Sequence, residues 1–429
     1  MKSFLYPLKE TWDDLCKRPV IDMSSLDTAV RSIIEQVRQE GDRAVRDCTL
    51  KFDKVTVDDL RVSASETEEA ASSVPGDLKK AINVALENIE KYHRSQLTKE
   101  KPVETALGVR CWRENIPIEK VGLYIPAGSA PLFSTVLMLA IPARIAGCGK
   151  IILCTPPGRD GRIDPLILYT AGVSGIKDIF RAGGAQAIAA MAFGTESIPK
   201  ADKIFGPGNQ YVTKAKEIVQ SMGVAIDLPA GPSEVLVIAD SSADPAFIAA
   251  DLLSQAEHGP DSQVIFLTNS KDMLMRVKNE TDIQLQALPR KDIAAQAINN
   301  SISVLFDNLN ECIDFSNAYA PEHLIINTAN PSTLAGRVKN AGSVFIGKFS
   351  CESAGDYASG TNHTLPTNGM AKSFSGVSVD SFMKKITFQE ISREGLENIG
   401  PAIALMAQAE GLEGHSNAVN IRLKTKENG

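Results

Sequence analysis

The sequence predicts an α/β protein that contains two successive wound parallel sheets. From about residue 120, short apolar runs alternate with amphipathic segments of helical period, as in a parallel sheet with crossover helices. A second series of the same kind begins after the break Pro229-Ala-Gly-Pro-Ser233. Because 429 residues exceed what one ordinary core accommodates, we expect two or more domains.

The first hundred residues are predicted to be mainly helical. Residues 27–40 carry apolar side chains at every third or fourth position and stop at Gly41, and residues 77–94 repeat this pattern. His93 lies in a charged run of the second segment, so we expect it on the solvent-exposed face.

The first wound series consists of four strand and helix pairs. The pairs are predicted at 121–125 and 134–146, 151–155 and 164–171, 178–181 and 185–193, and 203–205 and 210–222. The second series has a helix at 245–256 and strands at 234–239, 262–268, 301–306, 323–327 and 343–347. Residues 378–429 lack the alternation, and we predict a small helical C-terminal part.

Composition excludes several classes of protein. The chain is 43% hydrophobic and 23% charged, and it has no apolar run near the roughly 18 residues that a membrane span needs. A net charge of −7 without a basic block argues against nucleic-acid binding. Seven cysteines, with no Cys-x-x-Cys, favour a reducing compartment. With neither a signal nor a transit segment at the start, we expect a cytoplasmic protein.

Four of the five histidines stand in polar motifs. Each of His258, His323, His363 and His415 has a carboxylate or carboxamide within seven residues. Imidazole is the commonest metal ligand and a usual general base near neutral pH. Histidines with such polar neighbours therefore predict a metal or catalytic site.

Gln255 and His258 are three residues apart at the end of a predicted helix that Gly259-Pro260 stops. Both side chains can therefore point to one side and bind a metal or a polar ligand. The alternative is a polar helix end in which His258 caps the last carbonyls.

Residues 355–366, which include Asp356 and His363, are rich in Gly, Ser, Thr and Asn, and they predict a loop. Loops with several oxygen and nitrogen donors often bind ligands. An ordinary turn with local side-chain hydrogen bonds is the alternative.

Glu322 and His323 lie next to each other at the boundary between a helix and a strand. Such a pair can relay a proton if both side chains lie in the turn, since consecutive strand residues point to opposite faces. The alternative is a structural ion pair.

Two glycine-bearing turns, at 122–128 and 181–186, follow predicted strands, but neither is Gly-x-Gly-x-x-Gly. A phosphate could lie on the helix that follows such a turn, and tight turns explain the glycines equally well.

Taken together, six segments closely resemble histidinol dehydrogenase over nearly the whole chain. They are Tyr124-Ile-Pro with Gly128-Ser-Ala-Pro-Leu-Phe-Ser-Thr-Val-Leu-Met138, Phe205-Gly-Pro-Gly-Asn209, Pro229-Ala-Gly-Pro-Ser-Glu234, Ser254-Gln-Ala-Glu-His-Gly-Pro-Asp-Ser262, Pro321-Glu-His-Leu324 and Glu352-Ser-Ala-Gly-Asp-Tyr-Ala-Ser-Gly-Thr-Asn-His363. The resemblance implies a homodimer with one zinc per subunit that oxidises L-histidinol to L-histidine through L-histidinal with two NAD+.

The resemblance also implies a role for individual residues. Zinc ligands are expected at Gln255, His258, Asp356 and His415, the last of which serves the partner subunit's site. Glu322 and His323 match the acid/base pair: His323 would be the general base, and Glu322 would activate water for the aldehyde oxidation. Substrate contacts are expected from these zinc ligands and His323 together with Ser233, His363 and Glu410, and NAD contacts from Tyr124, Gln186 and Asn209.

The fold implied by the resemblance has two incomplete Rossmann-like domains and two small, mainly helical domains that are exchanged across the dimer. The expected boundaries are 22–123 with 235–377 for the first Rossmann-like domain, 124–234 for the second, 1–21 with 378–400 for one small domain, and 401–429 for the tail.

The chain departs from the family pattern at two positions. Ala127 stands where a second glycine is common, which narrows backbone freedom near the expected NAD edge. Cys351 stands where proline is usual, and it places a thiol beside the Asp356 segment.

Three other functions compete with the dehydrogenase. A zinc hydrolase of a small nitrogenous substrate uses a similar ligand set, and ester or amide hydrolysis without NADH formation would reveal it. An aldehyde dehydrogenase with a cysteine nucleophile predicts that one Cys→Ser change abolishes turnover. A metabolite-binding protein would bind histidinol without turnover.

Overall fold

The computed structural model of the protein describes residues 1–18, 24–127, 131–228 and 231–425. Parts of the predicted motifs lie outside the described residues, namely Gly128-Ser-Ala130 and Pro229-Ala230. So do the expected domain boundary at residues 21 and 22 and the last four residues of the predicted tail.

The strands, in chain order, are β1 (Lys2–Leu5), β2 (Val103–Ala106), β3 (Val109–Pro117), β4 (Lys120–Tyr124), β5 (Lys150–Thr155), β6 (Asp178–Arg181), β7 (Lys203–Phe205), β8 (Ala225–Ile226), β9 (Glu234–Ala239), β10 (Gln263–Thr268), β11 (Ile302–Leu305), β12 (His323–Asn327), β13 (Ser343–Ile346) and β14 (Met383–Ile391).

The α-helices, in chain order, are α1 (Trp12–Leu15), α2 (Ser24–Glu40), α3 (Asp42–Phe52), α4 (Ala64–Ser73), α5 (Gly76–Arg94), α6 (Phe133–Ala146), α7 (Pro165–Val173), α8 (Gly184–Phe193), α9 (Gln210–Ser221), α10 (Pro245–Ala256), α11 (Lys271–Ala287), α12 (Lys291–Asn299), α13 (Leu309–Tyr319), α14 (Pro331–Ala335), α15 (Glu352–Tyr357), α16 (Arg393–Ala409) and α17 (Glu413–Lys424). Short 3-10 helices lie at Lys9–Thr11, Met370–Lys372 and Val379–Phe382.

The larger of two compact units comprises residues 1–94 and 118–382 and contains both parallel sheets. The six-stranded sheet has the order β1-β11-β10-β9-β12-β13, and the five-stranded sheet has the order β6-β5-β4-β7-β8. All strand pairs in both sheets are parallel. The predicted α/β class with parallel sheets is therefore confirmed.

Burial explains why the central strands are continuous apolar runs. Every residue of β9, β10 and β12 is buried, as expected for parallel strands that helices cover on both faces. Capping residues mark the starts of the crossover helices: Asp244 accepts the Ala246 N–H at 2.9 Å, directly before Pro245 at the first position of α10.

The smaller unit comprises residues 95–117 and 383–429, of which the structure describes those up to 425. Its sheet has the order β14-β3-β2, and its two helices are α16 and α17. The prediction that residues 378–429 are simply helical is wrong, because β14 pairs antiparallel with β3 over nine residues. Most of β14 is exposed, so no apolar run marked it as a strand.

The domain boundaries predicted from the sequence differ from these two units, and they stay predictions. For example, β1 extends the edge of the six-stranded sheet through its pairing with β11. Among the described residues, no helix is both long enough and apolar enough to cross a membrane.

Candidate active site

The carboxyl edge of the five-stranded sheet and the amino edge of the six-stranded sheet both line one cavity of about 70 Å³. We call it the active-site cavity. Gly206 and Pro207 line it directly after β7, at the carboxyl edge of the five-stranded sheet. Ser233 and Glu322 line it directly before β9 and β12, at the amino edge of the six-stranded sheet. Ligands of open α/β sheets usually bind at carboxyl edges, so the amino edge of the larger sheet is unusual in this role.

The crossover helix α10 explains how Gln255 and His258, the predicted metal ligands, reach this amino edge. A helix that follows a parallel strand runs back along the sheet, and its C-terminal end therefore lies near the start of the next strand. Gln255 is in the last turn of α10, and the His258 N–H bonds to the Gln255 carbonyl at 3.2 Å in the turn that follows.

His258, Glu352 and Asp356 form a cluster whose potential ligand atoms all lie within 4.8 Å of one another. Glu352 and Asp356 are both on α15, four residues apart and hence on one face of that helix. When the Gln255 amide is assigned so that its nitrogen faces the Glu352 carboxylate, it donates to both carboxylate oxygens, to Oε2 at 3.2 Å. The amide oxygen of Gln255 is thereby left to bind another group. Glu352 is a member of the cluster that the sequence analysis missed.

The carboxyl groups around this cluster are crowded and largely buried. Burial raises the pKa of Glu352 well above its usual range, and the Asp356, Glu322 and Asp251 carboxylates raise it further. Burial likewise raises the pKa of Asp251, on α10, to about 7. Such a concentration of acids is the environment that a bound cation stabilises.

His323 is buried, and its hydrogen bonds determine its tautomer. Nδ1 lies 3.1 Å from the Glu234 carbonyl oxygen, which can only accept, so Nδ1 carries the proton. Nε2 is then the unprotonated nitrogen; it is buried without a hydrogen-bond partner in the described chain and lies 3.7 Å from Asp356 Oδ1. Burial lowers the pKa of His323, which keeps the ring neutral and Nε2 available as a base.

Glu322 precedes His323 at the start of β12, and its Oε2 accepts the Glu234 N–H at 2.8 Å. Burial raises the pKa of Glu322 well above its usual range. The predicted position of this pair at an element boundary is confirmed, since His323 is the first residue of the strand. Both side chains bond to the backbone of a single residue, Glu234.

Glu234 was missed by the sequence analysis, although it ends one of the quoted motifs. Arg18 donates to both of its carboxylate oxygens, from Nε at 2.5 Å and from Nη2 at 2.9 Å. The Asn368 N–H bonds to the same carboxylate at 2.9 Å. These bonds fix the residue whose backbone holds Glu322 and His323.

His363 also lines the active-site cavity, and its ring is held at both nitrogens. Nδ1 donates to the Asp356 carbonyl oxygen at 2.9 Å, and Nε2 lies 3.2 Å from Thr135 Oγ1 on α6. Burial lowers the pKa of His363.

Two predictions about this region are wrong. Asp356 lies on α15 and not in a loop; the irregular segment begins only after it, at residues 358–367. His93 is fully buried and not solvated. Its Nδ1 donates to the Ile89 carbonyl oxygen at 2.8 Å, and its Nε2 faces Asn362 Nδ2 at 3.4 Å, beside His363. The residues next to it in sequence, Tyr92 and Arg94, are exposed, so the charged run did not reveal its burial.

The residues predicted to contact NAD lie along the carboxyl edge of the five-stranded sheet. Tyr124 ends β4, and its hydroxyl accepts the Gly184 N–H at 3.1 Å; burial raises its pKa to about 12. Gln186 is buried in the first turn of α8. Asn209 caps α9 by accepting the N–H groups of Tyr211 and Val212.

Glu410 and His415 belong to the smaller unit. Glu410 follows α16 and His415 lies in the first turn of α17, and both are exposed.

Comparison with known proteins gives consistent matches. The profile of the family described as histidinol dehydrogenase matches residues 16–423. A histidinol dehydrogenase of Bacteroides thetaiotaomicron is 57% identical over 425 residues, which cover 99% of each chain. One of Escherichia coli is 53% identical over 412 residues, covering 95% of this chain and 94% of its own. The crystal structure of histidinol dehydrogenase from Elizabethkingia anophelis superposes with a TM-score of 0.97 at 57% identity and covers 99% of this chain and 98% of its own.

Proposed function

Because the chain belongs to the histidinol dehydrogenase family, whose NAD-dependent enzymes oxidise histidinol to histidine, we propose that one zinc-centred site per subunit carries out both oxidations. The chain is an oxidoreductase of histidine biosynthesis. Family membership assigns NAD-dependent oxidation of histidinol, and it therefore argues against the zinc hydrolase and the aldehyde dehydrogenase with a cysteine nucleophile.

The cluster of His258, Glu352 and Asp356 fits a zinc ion by the chemistry of its donors. Zinc binds imidazole nitrogen and carboxylate oxygen, and the crowded acids supply the negative charge that a divalent cation requires. Gln255, His258 and Asp356 would hold the ion, with His415 of the partner subunit as the fourth ligand. A zinc ion bound by these residues would supply Lewis-acid chemistry that holds the substrate and polarises its hydroxyl group.

The proposed mechanism depends mainly on one observation, namely that His323 Nε2 is buried and has no hydrogen-bond partner in the described chain. This nitrogen is unprotonated and directed toward the metal cluster, since Nδ1 is occupied by the Glu234 carbonyl. In the first oxidation, His323 accepts the hydroxyl proton of histidinol while the carbinol hydride passes to NAD+. The products of this step are histidinal, NADH and a proton.

The second oxidation consumes a water molecule, and Glu322 is the group that we propose activates it. A carboxylate with a raised pKa is a stronger base than an ordinary glutamate, and burial raises the pKa of Glu322. The ionised carboxylate takes a proton as water adds to the aldehyde carbon. Hydride transfer from the resulting hydrate to a second NAD+ then yields histidine.

Substrate and cofactor contacts complete the proposal. Ser233, His363 and Glu410 contact the substrate, and Tyr124, Gln186 and Asn209 contact NAD. We further propose a cytoplasmic homodimer in which His415 of the partner subunit completes each site.

The Glu322→Gln variant tests the roles of the acid/base pair. Only the second oxidation requires water, so the rate of NADH formation from histidinal should fall by roughly a hundredfold or more, while histidinol oxidation falls much less. Both rates are measured at 340 nm, each substrate being supplied separately. Glu87→Gln, an exposed change on α5, is the matched control and should leave both rates unchanged. Equal losses in the two steps would exclude the assigned role of Glu322.

A further inference from the structure

A buried ion pair between Lys216 and Asp227 lies beside the active-site cavity and has no part in the mechanism above. Their side chains are 2% and 1% exposed, and Lys216 Nζ lies 2.5 Å from Asp227 Oδ1. Both residues line the cavity, whose other walls include Glu322 and His363.

The pair holds two separate backbone segments through a closed set of hydrogen bonds. Lys216 Nζ donates to the carbonyl oxygens of Gly206, at 2.9 Å, and of Leu228, at 3.0 Å. Asp227 accepts the N–H groups of the same two residues, at 2.8 and 2.7 Å. Both backbone polar groups of Gly206 and of Leu228 are therefore bonded to this ion pair.

Each of these segments leads to a different part of the site. Gly206 begins the Gly-Pro-Gly-Asn turn that ends at Asn209, the cap of α9, and Lys216 lies seven residues further along. Leu228 lies five residues before Ser233, which lines the same cavity. The ammonium group thus joins the turn expected to contact NAD to the segment that leads to the substrate side.

General stability is a poor explanation for this arrangement. Burial of two charges costs solvation free energy that their attraction often only balances, so an apolar pair of similar size serves stability as well. A buried pair with every donor and acceptor satisfied does fix geometry, because any displacement leaves a charge without a partner. Here the geometry concerns the cavity in which nicotinamide and substrate must meet.

We propose that Lys216 is a positioning residue for NAD, which through its bonds to Gly206, Leu228 and Asp227 sets the cofactor turn against the substrate side of the cavity. This inference rests on the proposed NAD contacts of Tyr124 and Asn209. Its ammonium group is occupied by Asp227 and by the carbonyl oxygens of Gly206 and Leu228, so in this proposal it acts through the backbone that it holds.

The test is the affinity of the zinc-loaded enzyme for NADH, measured by fluorescence titration. In Lys216→Met, the dissociation constant of NADH and the KM for NAD+ should each rise roughly tenfold or more, because the turn loses hydrogen bonds to a charged group. Zinc content should remain that of the parent. A folded variant whose NADH dissociation constant stays within about twofold of the parent overturns the proposal, since a purely structural role changes unfolding temperature alone.

Two further variants make the comparison specific. Lys214→Met removes a half-buried lysine from the same helix, where its ammonium group lies 3.3 Å from Glu217 and 3.4 Å from Asp27 on α2, and this variant should bind NADH like the parent. Asn209→Ala tests the proposed cofactor contact itself. If Asn209→Ala leaves NADH binding unchanged, the proposed contact fails; if it weakens binding while Lys216→Met does not, only the positioning role fails.

The double variant Lys216→Met/Asp227→Asn covers the case in which a lone buried carboxylate prevents folding. It removes both charges, and we expect it to fold and to bind NADH as weakly as the single variant. Hydrogen exchange of the unmutated enzyme gives an independent check: NADH alone should slow exchange at the amides of both Gly206 and Leu228. Protection confined to Gly206 would show that the two segments are not coupled.

Discussion

At the scale of single residues, two buried histidines and one half-buried histidine share one arrangement that determines their chemistry. His93, His323 and His363 each donate from Nδ1 to a backbone carbonyl, which leaves Nε2 as the acceptor nitrogen. In His323 that nitrogen is the proposed base, in His363 it faces Thr135, and in His93 it faces Asn362. None of the three carbonyl partners is evident from the motifs, because the bond depends on the folded backbone.

The buried position of His93 predicts an acid-dependent loss of stability. Burial lowers the pKa of His93 in the folded state, so the unfolded chain takes up a proton at higher pH than the folded protein does. The contribution of neutral His93 to the free energy of unfolding is therefore fully present above the ordinary histidine pKa. It is lost as the pH falls from that value toward the lowered pKa of the folded state.

His93→Gln removes this contribution, and chemical denaturation between pH 7.5 and 5.5 measures it. The pH dependence of the free energy of unfolding should become shallower in the variant, by at most about 1.4 kcal/mol per pH unit. Glu87→Gln on the same helix should keep the slope of the parent. An unchanged slope in His93→Gln would mean that His93 titrates normally and is not held neutral in the folded protein.

Sequence reasoning found the chemistry-bearing residues more readily than the groups that support them. Gln255, His258, Glu322 and His323 were selected from polar motifs, and the fold brings them to one edge of the six-stranded sheet. Glu234 acts through its backbone and reaches Arg18 across 216 positions of the chain. Such long-range partners leave no local pattern to read.

At the scale of secondary-structure elements, the turn after β7 is the most constrained feature near the proposed NAD edge. Gly206 has a φ of +124°, and a Cβ at this position would lie 2.1 Å from the Tyr124 carbonyl oxygen. Only glycine therefore allows β4 and this turn to approach so closely.

The Gly206→Ala change should consequently lower the free energy of unfolding far more than the same change at another glycine with positive φ. Gly223, at +93° in the turn before β8, has open space around its Cβ position, so Gly223→Ala carries the backbone strain without the clash. We expect Gly206→Ala to lower the free energy of unfolding by at least about 2 kcal/mol more than Gly223→Ala. Equal losses in denaturant titrations would show that the turn moves away from Tyr124 at little cost.

Buried strands and helices were predicted from the sequence more accurately than exposed ones. The predicted helix at 245–256 coincides with α10, and the strand at 234–239 with β9, because buried parallel strands and their capped crossover helices carry strong periodic patterns. The strands β3 and β14 were missed, since β3 is mainly half-buried and β14 mainly exposed, and neither shows a clear apolar run. They are stabilised by pairing between distant segments, from Met383 with Pro117 to Ile391 with Val109, which a local window of sequence does not detect.

At the scale of the whole molecule, the proposed dimer predicts complementation between defective subunits. If His415 serves the partner's site, a mixed dimer of His415→Asn and His258→Asn subunits has one site with all four ligands and one with neither histidine. Random mixing in equal amounts makes half of the dimers mixed, so about a quarter of the parent activity should return.

The experiment requires dissociation and reassociation of the two inactive variants, followed by the NADH assay. Each variant treated alone should stay inactive, which controls for refolding. Absence of activity in a mixture that demonstrably contains mixed dimers would place His415 in the site of its own subunit.

Zinc content per subunit, measured by mass spectrometry on purified protein, tests the central claim most directly. The account predicts about one zinc per subunit in the parent and in Glu87→Gln, and less than about a tenth of that in His258→Asn and Asp356→Asn. A full zinc complement in these two folded variants would contradict a site built on His258 and Asp356.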